Sequence, residues 1–200
     1  PVMGAGGVVV PPATYWDKIQ AVLKKYDILL VADEVICGFG RTGKMFGCET
    51  YGIKPDVMVV SKQITSSYFP FSAILMNDRM FEPIADESNK IGVLGHGFTA
   101  GGHPVGSAIA LENLKIIEER GLVAHAAELG ANMQGKLREL TSHPLVGEVR
   151  GVGMIAAIEL VLDKARMTAA STPEAVGGIA RRMLQERGVI SRRLPAAVAL

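Results

Sequence analysis

Ile28-Leu29-Leu30-Val31-Ala32-Asp33-Glu34 runs five apolar residues into two carboxylates, and Val57-Met58-Val59-Val60-Ser61-Lys62 repeats the design with an amine at its end. Short continuous apolar runs of this kind, without polar alternation, are the pattern of strands covered on both faces. Such strands build α/β domains, whose ligands bind beyond the carboxyl ends of the sheet. Here those ends carry Asp33, Glu34 and Lys62, so an acid pair and an amine face one crevice.

Working outward, Thr14 with Asp17 three residues on resembles a capping box, opening a helix on which Tyr15, Ile19, Val22, Leu23 and Tyr26 form one apolar face. Phe71 to Met76 is a third apolar run, closed by the turn-like Asn77-Asp78. Pro104 suits a first helical position and predicts a helix to Arg120, stopped by Gly121. Leu122, Ala126, Leu129, Met133, Leu137 and Leu140 then step at helical spacing. Val152 to Leu162 reads as strand, and Thr172-Pro173-Glu174 opens a last helix carrying Val176, Ile179, Ala180, Met183 and Leu184 and ending at Gly188. The change of character between residues 105 and 120 predicts a boundary, with 1–105 forming one domain and 106–200 a linking helix and part of a second.

Of the 200 residues, 48% are hydrophobic, enough for a substantial core. Twenty-one Lys and Arg against 20 Asp and Glu leave a net charge of +1, which argues against nucleic acid or an anionic membrane as partner. No apolar run approaches the roughly 20 residues of a membrane span. Cys37 and Cys48 make no disulfide framework and no zinc-finger spacing, so no metal is expected and a cytoplasmic, reducing compartment is. The chain starts at Pro1 and stops within the apolar Pro195-Ala196-Ala197-Val198-Ala199-Leu200, the ends expected of a piece of something longer.

An amine at the rim of an apolar sheet can lose part of its hydration and with it part of its basicity, which makes Lys62 a candidate nucleophile toward a carbonyl. The plainer reading is a surface lysine after a strand. Asp33, 29 residues earlier, fits a neighbouring strand of the same sheet or, more plainly, a turn-forming aspartate. Gly38-Phe39-Gly40-Arg41-Thr42-Gly43 matches a dinucleotide fingerprint in its glycines, but no long helix opens there and no acid follows at a second strand end, so nicotinamide binding is not expected.

Several ordered blocks together resemble the class III (omega) aminotransferases, pyridoxal-phosphate enzymes of fold type I, over the whole chain. They are Gly4-Ala5-Gly6-Gly7-Val8, then Ala32 to Gly43, Lys54-Pro55-Asp56, Ser61-Lys62 and His96-Gly97-Phe98-Thr99. The resemblance implies an α/β fold with the later part of the large cofactor domain and its mixed sheet, followed by part of the α+β C-terminal small domain. The N-terminal half and the extreme C-terminus of the family's full pattern fall outside the chain.

The resemblance also implies that Lys62 carries pyridoxal 5'-phosphate through a Schiff base and shuttles the proton between the substrate carbon and the cofactor. Asp33 would pair with the pyridine nitrogen, where a carboxylate keeps that nitrogen protonated. Val35 would lie against a face of the ring. Thr99 would reach the phosphate of the neighbouring subunit, giving a homodimer with shared active sites. Arg192 falls where the family carries an arginine for a substrate carboxylate, though adjacent Arg193 leaves the choice between them open. The implied reaction is ping-pong transfer of an amino group from an amine or omega-amino acid to a keto acid such as pyruvate. The alternatives are aminomutase, decarboxylase or racemase chemistry on the same fold, or a non-catalytic piece.

Overall fold

A computed structural model of the chain describes residues 1–168, 173–194 and 197–200. It is a mixed α/β structure whose residues divide into two compact units. One comprises Pro1, 12–40 and 44–123, and the other 2–11, 41–43 and 124–200.

The first unit opens with α1 (Tyr15–Lys25). Thr14 precedes it in an αR conformation and its side chain caps nothing, so the expected capping box does not form. A turn closed by Tyr15 N–H on Pro12 C=O at 2.9 Å leads into the helix instead. β1 (Val31–Asp33), the short α2 (Gly47–Tyr51), β2 (Val57–Val60) and β3 (Ala73–Met76) follow, then α3 (Asp78–Ile91) and α4 (Pro104–Glu119). The strands form one mixed sheet in the order β1-β2-β3, with β1 parallel to β2 and β3 antiparallel to it.

The Val57–Val60 run becomes β2 entire, whereas only Val31 and Ala32 of the 28–32 run enter β1, and the sheet is not covered on both faces as expected. Ala32 and Val60 are buried, whereas Val31 and Ile74 are 59% and 63% exposed, because within this chain residues pack on one face only. On the covered side Ala32, Cys48 and Ile53 pack with Trp16 and Met58, and Val60, Ile64 and Ala110 pack with Phe39 and Phe71.

Asp56 explains why the Lys54-Pro55-Asp56 block sits at the start of β2. Its Oδ2 accepts the Leu30 N–H at 2.9 Å, its Oδ1 accepts from the Asn77 amide at 3.0 Å, and its own N–H and C=O bond to Leu30 and Asn77. All three strands are thereby fastened at the end opposite Lys62. The Leu30 hydrogen bond, with help from Asn77, holds the Asp56 carboxyl below its ordinary range. A carboxyl depressed in the folded state takes up protons more readily when unfolded, so its stabilisation is present above pH of about 4 and is lost as pH falls further. Asp56→Asn is therefore expected to make stability less dependent on pH below that value, read from denaturant midpoints at pH 7 and pH 3.

The second unit holds most of α5 (Leu122–Glu139), then β4 (Val146–Val152), β5 (Ile155–Leu160), α6 (Pro173–Glu186), β6 (Arg192–Arg193) and β7 (Ala197–Ala199). The strands pair antiparallel in the order β4-β5-β7-β6. Val146, Ile158 and Val198 form their core with Leu137 of α5 and Leu184 of α6. The strand expected over 152–162 is thus β5 (Ile155–Leu160), the second arm of a hairpin, with Val152 ending the first. Its first arm, Val146-Gly147-Glu148-Val149-Arg150-Gly151-Val152, mixes charge and glycine and carries little apolar signal. Gly153 turns the hairpin at φ +55°, where any Cβ would meet the Arg41 carbonyl at 2.4 Å. Thr172, expected to open α6, lies outside the described residues.

Candidate active site

Because β1 and β2 are parallel, their carboxyl ends meet at one edge of the sheet. Asp33 lies opposite Val59 in the ladder, and the Glu34 N–H donates to Val59 C=O at 2.9 Å. Lys62 follows β2 by two residues, so amine and carboxylate rise from neighbouring strands, which lie about 4.8 Å apart in any sheet. Both side chains are exposed. Asp33 Oδ1 accepts the Val35 N–H at 2.9 Å, which orients the carboxylate. Its second oxygen has no hydrogen-bond partner among the described residues. Val35, two residues after Asp33, is half-buried.

Glu34 does not face the crevice with Asp33, as the acid pair in the sequence suggested. It is fully buried, and its two oxygens accept the Gly47 N–H at 2.9 Å and the Cys48 N–H at 2.6 Å. The adjacent acids therefore divide their work, since alternation along the strand sends one outward and the other into the core. The connecting residues 35–46 form turns with no helix, and α2 has only five residues. The glycines there permit close packing: a Cβ on Gly38 would sit 3.0 Å from Glu34 C=O, and one on Gly47 would sit 2.8 Å from the Cys37 Cβ. Cys37 and Cys48 are both buried and form no disulfide. Burial, reinforced by the Glu34 carboxylate, pushes the Cys48 thiol up to about 12, so it stays protonated and unreactive at neutral pH.

Lys62 sits in an unusual backbone. Its φ is +47°, and Ser66 and Ser67 follow at +48° and +64°, three residues with side chains in the left-handed region within six positions. Each costs on the order of 1–3 kcal/mol and persists only where surroundings impose it. Residues 62–64 make one 3-10 turn. Thr65 Oγ1 donates to Phe69 C=O at 2.7 Å and Ser61 Oγ to Phe71 C=O at 3.1 Å. From α4, Asn113 donates through Nδ2 to the carbonyls of Gln63 (2.7 Å) and Ile64 (3.3 Å) and accepts from Ser66 Oγ at 2.8 Å. The loop borders an open cavity of about 270 Å³ whose lining includes Ser61, Lys62, Thr65, Ser67, Phe69 and Phe71.

Thr99 is exposed in a turn closed by Gly101 N–H on Phe98 C=O at 2.7 Å, beside a His96–Phe98 stack at 3.8 Å. No hydrogen bond among the described residues links it to Asp33 or Lys62. Arg192 lies in the second unit, exposed on β6 and paired in register with Ala199. Among the described residues no three His, Cys, Asp or Glu are grouped to hold a metal, and no helix is long and apolar enough to cross a membrane.

A family model for class III aminotransferases matches residues 1–194. The chain belongs to the class III aminotransferase family. It is 48% identical over 196 residues to a diaminobutyrate–2-oxoglutarate transaminase of Halomonas elongata, covering 98% of this chain and 42% of that protein. Identity to a putrescine–pyruvate aminotransferase of Pseudomonas aeruginosa is also 48%, over 193 residues, with coverage of 96% and 41%. A transaminase structure with L-alanine superposes at a TM-score of 0.98 and 64% identity, over 100% of this chain and 47% of that one. The omega transaminase of Pseudomonas jessenii in complex with PMP gives 0.97 at 57% identity, over 100% and 44%. The chain thus spans less than half the length of these relatives. Its fold is that of fold type I aminotransferases, as the sequence blocks implied.

The donor set fits the cofactor of such enzymes. An amine at one strand end, a carboxylate with an uncommitted oxygen at the next, and an apolar side chain beside it match an aldehyde, a ring nitrogen and a ring face. Sequence reading did not assign Glu34 its buried role, nor Asp56 and Asn113 any role. For Asn113 a signal existed: it is an amide on the α4 stripe otherwise made of Gly106, Ala110 and Ile117.

Proposed function

We propose that this chain is part of a pyridoxal-phosphate-dependent aminotransferase that moves an amino group from an amine or omega-amino acid to a keto acid such as pyruvate. The carrying observation is Asp33 and Lys62 at the carboxyl ends of adjacent parallel strands in a class III aminotransferase chain. The cofactor, when bound, supplies an aldehyde that bonds to an amine and a ring that draws electrons from the carbon losing its proton. Lys62 Nζ holds the cofactor between turnovers and carries the proton to and from the substrate carbon. Asp33 keeps a proton on the ring nitrogen, and Val35 sets the tilt of the ring. Residues 1–105 belong to the cofactor domain and 106–200 lead into the small domain.

Thr99 reaches the phosphate bound by a neighbouring subunit, so the working form is a homodimer in the cytoplasm. Its exposed turn, unattached to the Asp33 edge of its own chain, supports that role. Arg192 grips the carboxylate of the keto acid and swings away for a carboxylate-free amine, since a buried unpaired guanidinium beside an apolar group is costly. Arg192→Ala in the complete enzyme is expected to weaken the keto-acid half-reaction by about 2 kcal/mol, the scale of a charge-assisted pair, and to spare the amine half-reaction. Stopped-flow absorbance of each half-reaction measures this. Equal losses in both halves would remove the role.

The names of the similar putrescine–pyruvate and diaminobutyrate–2-oxoglutarate enzymes support amine donors and keto-acid acceptors as the substrate classes. The test is amine-dependent formation of alanine from pyruvate by the cofactor-loaded enzyme. Alanine in proportion to consumed amine is expected. Carbon dioxide release, or an isomerised or racemised amino acid without transfer, would replace this reading with another chemistry.

A further inference from the structure

We infer that Asn113, on α4, is a positioning residue for Lys62, acting through the backbone of the turn that carries it. Resting on the aminotransferase reading, this inference adds a group remote from the cofactor to the residues that set the lysine's reactivity. The face of α4 turned toward the 61–71 loop is defined by contacts. A Cβ on Gly106 would lie 2.7 Å from Phe71 and 2.9 Å from Phe69, so the helix comes as close as glycine allows. Ala110 packs with Val60 and Ile64. Asn113, one turn further on, meets the same loop with its amide.

Both ends of the amide are engaged. Nδ2 spans the carbonyls of Gln63, which also accepts the Ser66 N–H at 3.2 Å, and of Ile64, and Oδ1 takes the Ser66 hydroxyl. These bonds straddle the segment between the left-handed residues Lys62 and Ser66. A strained backbone relaxes unless neighbours over-determine it, and here a 16-residue helix supplies the restraint. Asn113 thus ties the direction in which the Lys62 side chain leaves the sheet edge to a rigid element. An apolar residue of similar size would fill the space and leave the turn unheld.

The experiment uses the complete, cofactor-loaded enzyme and two readouts: the pH midpoint of the bound cofactor's visible absorbance change, and the single-turnover rate with amine. Asn113→Ala and Asn113→Leu are expected to shift the midpoint by about half a pH unit or more and to slow the rate about tenfold or more. Ile117→Val, which loosens the same helix one turn beyond, should lower thermal stability and leave both readouts in place. Ser66→Ala removes only one of the bonds and should shift the midpoint the same way by less, which keeps the test open if the Asn113 variants fold poorly. Unchanged midpoint and rate in the variants that fold, or an equal shift in Ile117→Val, would overturn the inference. A wild-type, cofactor-loaded enzyme that forms no alanine from pyruvate with an amine would instead overturn the aminotransferase reading.

Discussion

Asp33→Asn is expected to leave the complete enzyme able to bind cofactor while slowing proton removal from the substrate by about a thousandfold or more, the largest rate effect foreseen for a single change outside Lys62. Asn keeps the shape and retains an oxygen for the Val35 N–H, so the turn after β1 should survive. What it loses is charge. A carboxylate beside a ring nitrogen favours the protonated ring, and a neutral amide does not. Single-turnover absorbance with an amine donor measures the loss, and cofactor content by absorbance confirms binding. Rates near those of the parent enzyme would remove Asp33 from the chemistry and leave it as a turn former.

Glu34→Ala should have the largest effect on stability. Its carboxylate is fully buried and accepts two backbone N–H groups, at Gly47 and Cys48. Removing it strands both amides in the core and opens a cavity, a loss of about 3–5 kcal/mol. Glu34→Gln should fall between, because one side of the side chain then presents N–H to an N–H. Denaturant midpoints of the three proteins read this directly. A loss under about 1 kcal/mol for the alanine variant would mean that water satisfies the stranded amides and that the clamp between β1 and α2 carries little.

How far the sequence reveals this structure can be seen at individual residues. The apolar runs before Asp33 and Lys62 mark β1 and β2 because β-branched and aliphatic residues in an unbroken run favour strand, even where one of them, as at Val31, is exposed in this chain. Pro104 and Gly121 bracket α4 because each has a restricted or special backbone. The hairpin arm 146–152 is obscure, since glycine and charge hide its periodicity, and α3 carries Pro83 inside it, which disguises a helix. Glu34 and Asp33 are indistinguishable as letters; only the strand's alternation, once the register is fixed, separates the buried clamp from the exposed acid. Asp56 and Asn113 act through backbone groups far off in sequence, and such partners have no local signature.

Attachment of the cofactor to Lys62 is the centre of the account, and borohydride reduction followed by peptide mapping tests it most directly. Borohydride fixes the cofactor on whichever amine carries it. In the complete enzyme the label should fall on the peptide containing Ser61-Lys62-Gln63, and Lys62→Ala should carry none. Label on Lys44, Lys54 or another lysine, or full labelling of the Lys62→Ala protein, would contradict it.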